Sequence, residues 1–166
     1  MYFHEVEERT WMEVVKVNLE GPTAVIRAVL PAMRKRRRGV VVNVGSASAG
    51  VLPSFPFFST YAATKAYLTV LSRSLDLEYK NSGISVQCQV PLTVATKIID
   101  GLMPNLYYWI LASTADTYAR ASVRWIGYDP WCIPCWQHFI QGYLVRLVPE
   151  SLMDLWLATI ICSKRV

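Results

Sequence analysis

Tyr61-Ala62-Ala63-Thr64-Lys65 sets a phenol and an ammonium at i and i+4, on one face of a helix. A free phenol titrates near about 10, too high to exchange protons readily at neutral pH. A cation held beside it stabilises the phenolate and makes the pair usable as a general acid and base. In a chain with nine tyrosines such a spacing also arises by chance, so its neighbourhood matters. Upstream, Gly45-Ser46-Ala47-Ser48-Ala49-Gly50 is a loop of small residues whose hydroxyls are suited to hydrogen-bond a carbonyl oxygen. Ser46 lies 15 residues before Tyr61 and Ser48 lies 13 before it. Asn18 sits within a helical stretch, where asparagine is mildly unfavourable and a functional reason is expected.

The elements that must position these groups follow from periodicity. Val40 to Val44 is a β-branched, uncharged run. It reads as a strand buried on both faces, hence part of a parallel sheet. The serine loop follows its C-terminal end, where open α/β sheets bind ligands. The spacing predicts a helix over Ser59 to Ser82, stopped by Gly83 as a left-handed cap. Ile84 to Val90 alternates as a second parallel strand ending at Pro91. Thr10 and Glu13 form a predicted capping box for a helix running to Met33, with a kink expected at Gly21-Pro22. Ile98 to Ala112 reads either as a lid over a greasy substrate or as an ordinary amphipathic surface segment. Ala115 to Gly127 reads as a helix. Trp136 to Ser163 reads as one or two aromatic-rich amphipathic helices divided near Pro149. This rhythm predicts the α/β class with a doubly wound parallel sheet.

The 166 residues bound the chain to one domain or a piece of one. The apolar fraction is 53% and the mean hydropathy +0.26. Such richness suits a protein that buries much surface or lies against a membrane. No run of about eighteen uncharged apolar residues is present, so no spanning helix is predicted, and the N-terminus does not read as a signal peptide. Much of the net charge of +5 comes from Arg34 to Arg38. Cations closing a helix complement its dipole and stay in water, so a nucleic-acid partner is not expected. Cys88 reads as a buried core thiol. Trp131-Cys132-Ile133-Pro134-Cys135 looks like a thiol-redox motif, and Cys132, Cys135 and His138 offer three zinc ligands without a close fourth. Neither is favoured, no metal is expected, and His4 and His138 read as ordinary surface or core residues.

Asn18, Ser46, Tyr61 and Lys65 together resemble the Asn-Ser-Tyr-Lys tetrad of the short-chain dehydrogenase/reductase family. Tyr61-Ala-Ala-Thr-Lys-Ala-Tyr67, Leu77-Glu-Tyr-Lys80, Val86-Gln-Cys-Gln-Val-Pro91, Val94-Ala-Thr-Lys97, Tyr118-Ala119-Arg120 and Cys132-x-Pro134-x-Trp136-x-His138 are similar to its very-long-chain 3-oxoacyl-CoA reductases, the plant type above all. The resemblance implies a partial Rossmann-like doubly wound parallel sheet without the N-terminal strands and with extra C-terminal helices. It implies one truncated domain over 1–166, with a catalytic core over 1–97 and a substrate lid and C-terminal helices over 98–166. The family's glycine loop, Thr-Gly-x-x-x-Gly-x-Gly, has no counterpart here, and Leu92 stands where many relatives have glycine. Poor stability of this chain on its own is therefore expected.

The resemblance further implies NADPH-dependent reduction of a 3-oxoacyl-CoA. In that reading Tyr61 donates the proton, Lys65 tunes it and bonds the nicotinamide ribose, Ser46 polarises the carbonyl, and Asn18 holds a linking water. Val94 and Thr96 face the cofactor. Strand alignment favours Ser46 and distance to Tyr61 favours Ser48, and the choice stays open. So do acyl chain length, a keto-acyl or a steroid substrate, and NADPH or NADH. The implied partners are an acyl-CoA and fatty acid elongase components, the implied location the endoplasmic reticulum membrane. The alternative is an inactive remnant that acts by docking on full-length reductase or elongase.

Overall fold

The computed structural model describes residues 2–96 and 112–163. Helix α1 (Glu8–Val15) begins earlier than the predicted capping box, behind Glu7 as its N-cap. Glu13 instead pairs with Arg9 one turn back at 2.9 Å, so it does not reach back to Thr10. Lys16–Glu20 then forms one π turn before helix α2 (Gly21–Arg36). The irregularity expected at Gly21-Pro22 thus lies one turn upstream. Pro22 has no N–H for the carbonyl of Asn18, its i−4 partner, so the regular ladder lapses there and the wider turn takes over. Arg34, Lys35 and Arg36 close α2, and Arg37 caps it in the left-handed conformation at φ 51°.

Strand β1 (Gly39–Val44) pairs in parallel with β2 (Ile84–Gln89), from Gly39 opposite Ile84 to Val44 opposite Gln89. Between them runs helix α3 (Ser59–Tyr79), followed by a 3-10 turn over Lys80–Ser82. Past β2, the short strands β3 (Val94–Ala95) and β4 (Ser113–Thr114) pair in parallel. Helix α4 (Ala115–Arg124) leads to β5 (Trp131–Cys132), which pairs with the far side of β2. Helices α5 (Trp136–Leu147) and α6 (Glu150–Ser163) complete the order, divided at Pro149 as expected.

The sheet order β1-β2-β5 makes β2 the buried centre and leaves β1 at an edge among the described residues. β1 is therefore not buried on both faces as predicted: Val40 and Val44 are exposed and only Asn43 is buried. Alternation on β2 sends Ile84, Val86, Cys88 and Val90 to one face. The first two pack with Ile26 and Leu30 of α2, and the last two with Ala47 and Val51. Its other face is polar and equally enclosed. Gln87 donates to the carbonyls of Trp125 and Asp129 at 2.8 and 2.7 Å, and Gln89 to that of Ser122 at 2.9 Å. The two amides thereby tie β2 to the end of α4 and the turn beyond it, adding to the backbone donors that the Ser122 and Trp125 carbonyls already have from Trp125 and Tyr128.

Gly83 turns the chain into β2 at φ 71°, and a Cβ there would lie 2.1 Å from the carbonyl oxygen of Arg37. Gly127, at φ 86°, has open space around the same position. Gly83→Ala is therefore expected to cost about 2–4 kcal/mol and Gly127→Ala about 1–2 kcal/mol. Urea unfolding of both variants checks this, and equal losses would rule out the backbone contact as the cause.

Candidate active site

Helix α3 carries the phenol and the amine, and its sheet-facing side holds it in place. That side is Thr64, Leu68 and Ser72, all buried at i, i+4 and i+8. Asn43 of β1 donates its amide to the Ser72 hydroxyl at 2.9 Å, which in turn donates to the Leu68 carbonyl. Thr64 donates to the Tyr61 carbonyl at 2.8 Å. Thr69 donates to the Lys65 carbonyl and approaches the Cys88 thiol at 3.6 Å. A polar asparagine inside a run of valines was the readable sign of this anchoring.

Lys65 Nζ lies 5.7 Å from the centroid of the Tyr61 ring and donates to the Val44 carbonyl, the last of β1, at 3.1 Å. The amine thus spans from the phenol to the end of the strand. Burial pushes the Lys65 ammonium below its ordinary pKa, with the neighbouring Cys88 opposing weakly. Among the described residues no hydrogen bond reaches the Tyr61 hydroxyl.

The serine loop leaves the same strand end. Gly45 N–H bonds the Gln89 carbonyl at 2.8 Å and Ala47 N–H that of Pro91 at 3.0 Å, tying the loop to the end of β2. Gly45 is required there, since a Cβ would meet Cys88 Sγ at 2.9 Å. Ser48 donates both its N–H and its hydroxyl to Ser46 Oγ, at 3.2 and 2.9 Å. Ser46 Oγ therefore has both acceptor positions filled, and its own O–H is left to donate outward. Ser46 is half-buried and Ser48 buried. The two serines form one unit, with Ser46 as the outward donor.

Asn18 is half-buried in the π turn, which packs against α3. Thr23, just beyond it, shares a 2.8 Å hydrogen bond with Tyr67 of α3, so the two helices are locked together. Among the described residues no hydrogen bond joins Asn18 to Lys65. Val94 is half-buried in β3 and Thr96 is exposed just past it. The predicted lid over Ile98 to Ala112 lies outside the described residues, apart from Ala112. Two cavities, of about 560 and about 750 Å³, lie elsewhere. One is ringed by Arg36, Arg38 and Lys80 at the N-terminal strand ends, the other lies between α2 and α3. Ligands of open α/β sheets bind at the opposite, C-terminal ends.

The cysteine motif itself opens as the short strand β5, which the sequence did not show. Its chemistry is nonetheless wrong for thiol exchange. Cys132 and Cys135 are both buried and free. Burial, with Asp129 adding to it, pushes the Cys132 thiol up to about 11, the reverse of an activated thiolate. Both ring nitrogens of His138 are engaged by the protein itself: Leu92 N–H at 3.3 Å, the Thr93 carbonyl at 2.9 Å and the Ser113 hydroxyl at 3.1 Å. Neither is left for a metal. This three-way junction is the feature that sequence reading missed, because its partners lie far apart along the chain.

Residues 1–105 match the family model for short chain dehydrogenase. The chain belongs to the short-chain dehydrogenase family. Among curated members it is 45% identical to a very-long-chain 3-oxoacyl-CoA reductase-like protein of Arabidopsis thaliana, over 99% of this chain and 53% of that protein. It is 34% identical to the very-long-chain 3-oxoacyl-CoA reductase of Anas platyrhynchos, over 95% of this chain and 50% of the relative. This short-chain dehydrogenase chain spans about half the length of the curated relatives it matches. Among solved structures, a short-chain dehydrogenase from Sphingobium yanoikuyae in complex with NADPH superposes with a TM-score of 0.70 at 26% identity. That match covers 93% of this chain and 60% of the other. The parallel sheet and its helices are accordingly part of a short-chain dehydrogenase domain.

Proposed function

We propose that the chain carries the proton-donating part of an NADPH-dependent reductase that converts a 3-oxoacyl-CoA to the 3-hydroxyacyl-CoA in very-long-chain fatty acid elongation. The observation that carries this reading is the Lys65 amine, set between the Tyr61 ring and the last carbonyl of β1, where the paired serines also emerge. The names of the relatives supply the substrate class.

The groups present fit a nicotinamide cofactor. An ammonium has three donors, and the Val44 carbonyl uses one, so the others can meet ribose hydroxyls. Tyr61, Asn18, Val94 and Thr96 would complete its surroundings. When bound, NADPH supplies a hydride to the carbonyl carbon. Ser46 hydrogen-bonds the carbonyl oxygen as negative charge grows on it. Tyr61 gives its phenolic proton to that oxygen, so the carbonyl π bond is replaced by one C–H and one O–H bond. Lys65 stabilises the resulting phenolate, and a water held by Asn18 returns the proton. On the family resemblance we also read the protein as working at the endoplasmic reticulum with elongase partners. No helix among the described residues is long and apolar enough to cross a membrane, but α5 turns Trp136, Phe139, Tyr143 and Leu147 outward, a face suited to lie on one.

The full chain, mixed with a long-chain 3-oxoacyl-CoA and either NADPH or reduced nicotinamide mononucleotide, is expected to consume the reduced nicotinamide. Tryptophan fluorescence titration reports binding directly. A second reading, an inactive chain that docks on full-length reductase or elongase, is favoured by the outer edge of β1, which has no strand partner among the described residues. Absence of nicotinamide binding together with tight association with full-length reductase would replace the first reading by the second.

A further inference from the structure

His138 is fully buried in the first turn of α5, with none of its surface exposed. Its Nδ1 lies 3.3 Å from the Leu92 nitrogen, and a backbone N–H can only donate. Nδ1 is therefore the unprotonated nitrogen, and Nε2 carries the single proton of a neutral ring. That proton points to the Thr93 carbonyl at 2.9 Å, with the Ser113 hydroxyl at 3.1 Å beside it. The Thr93 carbonyl also accepts the Ser113 N–H at 3.1 Å. Burial holds the ring below its ordinary pKa, the Thr93 carbonyl opposing, which agrees with the neutral form. The Tyr118 ring packs on the imidazole, with centroids 5.7 Å apart.

One rigid side chain thus grips two consecutive residues by opposite groups, the N–H of Leu92 and the C=O of Thr93. That fixes the orientation of the backbone on both sides of the Leu92–Thr93 peptide. The next residue is Val94, where β3 starts, and Thr96 stands just past that strand. An imidazole suits the task because it holds an acceptor and a donor at opposite edges of a plane that cannot flex.

We propose that His138 is a positioning residue for the nicotinamide end of the cofactor: it sets the peptide from which Val94 and Thr96 are presented. This rests on the reading under Proposed function. A histidine that merely fills the core would affect stability alone, whereas a positioning residue moves nicotinamide affinity in a protein that is still folded. The two roles separate in the amide variants. His138→Asn keeps an acceptor near Nδ1 for Leu92, and His138→Gln keeps an N–H donor near Nε2 for Thr93; each loses the other half of the grip.

The test uses the full chain, wild type and both variants, with folding checked by circular dichroism. Amide hydrogen exchange over residues 91–96 measures the grip without any ligand. Fluorescence titration with reduced nicotinamide mononucleotide and with NADPH measures its consequence. Both variants are expected to exchange faster in that segment and to bind reduced nicotinamide mononucleotide about 10–10²-fold more weakly, the scale of a misplaced positioning group. In turnover, kcat/KM for the reduced cofactor is expected to fall while KM for the acyl-CoA holds. Folded variants with wild-type nicotinamide affinity, or with unchanged exchange over 91–96, would overturn the proposal. Should the wild type itself bind neither probe, the reductase reading fails first and the positioning role goes with it.

Discussion

Replacement of Tyr61 by phenylalanine is expected to lower the rate of the proposed 3-oxoacyl-CoA reduction by about 10²–10⁴-fold, the usual contribution of a positioned general acid. The same change is expected to leave stability within about 0.5 kcal/mol of wild type. The structure explains why the two effects separate. The Tyr61 hydroxyl makes no hydrogen bond among the described residues, so its loss strands no partner. The ring survives the substitution and keeps its place beside the Lys65 amine, 5.7 Å away. The anchors of α3 are Thr64, Ser72 and Asn43, none of which uses the phenol oxygen. NADPH absorbance with a long-chain 3-oxoacyl-CoA gives the rate, and urea unfolding gives the stability. A variant that reduces substrate as fast as wild type would remove Tyr61 from the chemistry. Ser46→Ala and Ser48→Ala belong in the same assay. The larger loss is expected for Ser46, because Ser48 spends both of its donors on Ser46.

Acid is expected to weaken the fold through His138, beginning near about pH 6.5. Burial holds this histidine below its ordinary pKa, so the native state refuses a proton that the unfolded chain accepts. Above about pH 6.5 both states are neutral at this group and its contribution is fully present. As pH falls below that value the unfolded chain gains the proton first. Stability then declines by up to about 1.4 kcal/mol per pH unit, until the folded-state pKa is reached. The stereochemical reason is specific. A proton on Nδ1 would face the Leu92 N–H, and two donors cannot bond each other. His4, the other histidine, is exposed and stacks on Tyr2, so His138→Asn isolates the buried group. Urea midpoints at about pH 7.5 and about pH 5.5 should differ more in wild type than in His138→Asn. Parallel pH profiles for the two proteins would exclude His138 as the acid-sensitive group.

The serine pair and the amine are joined through the backbone of one strand end, and among the described residues no hydrogen bond joins either serine to the phenol or the amine. Val44, the last residue of β1, receives Lys65. Gly45, the next residue, is bonded to the end of β2 and leads into Ser46. Displacing that strand end would move three functional groups at once. The outer edge of β1 is open among the described residues, so whatever pairs with it would also steady the site.

Much of this was legible in the residues themselves. The i, i+4 placement of Tyr61 and Lys65, the long α3 with Gly83 behind it, the parallel pair β1 and β2, and the break at Pro149 all depend on neighbours within a few positions. Periodicity and caps carry such information locally. The Thr10-Glu13 box was misread because a second local partner, Arg9, was available to the same carboxylate. The π turn around Asn18 was misplaced by one turn, since the missing N–H of Pro22 is felt four residues upstream.

Tertiary structure alone decided the rest. That Asn43 would hold Ser72, that Gln87 and Gln89 would close the end of α4, and that β1 would lie at an edge depend on which surfaces meet. The clearest case is His138, whose partners Leu92, Thr93 and Ser113 lie 25 to 46 residues away along the chain. A buried polar group costs free energy unless its donors and acceptors are met. Which distant peptide meets it is fixed by packing, and no local pattern in the sequence encodes it.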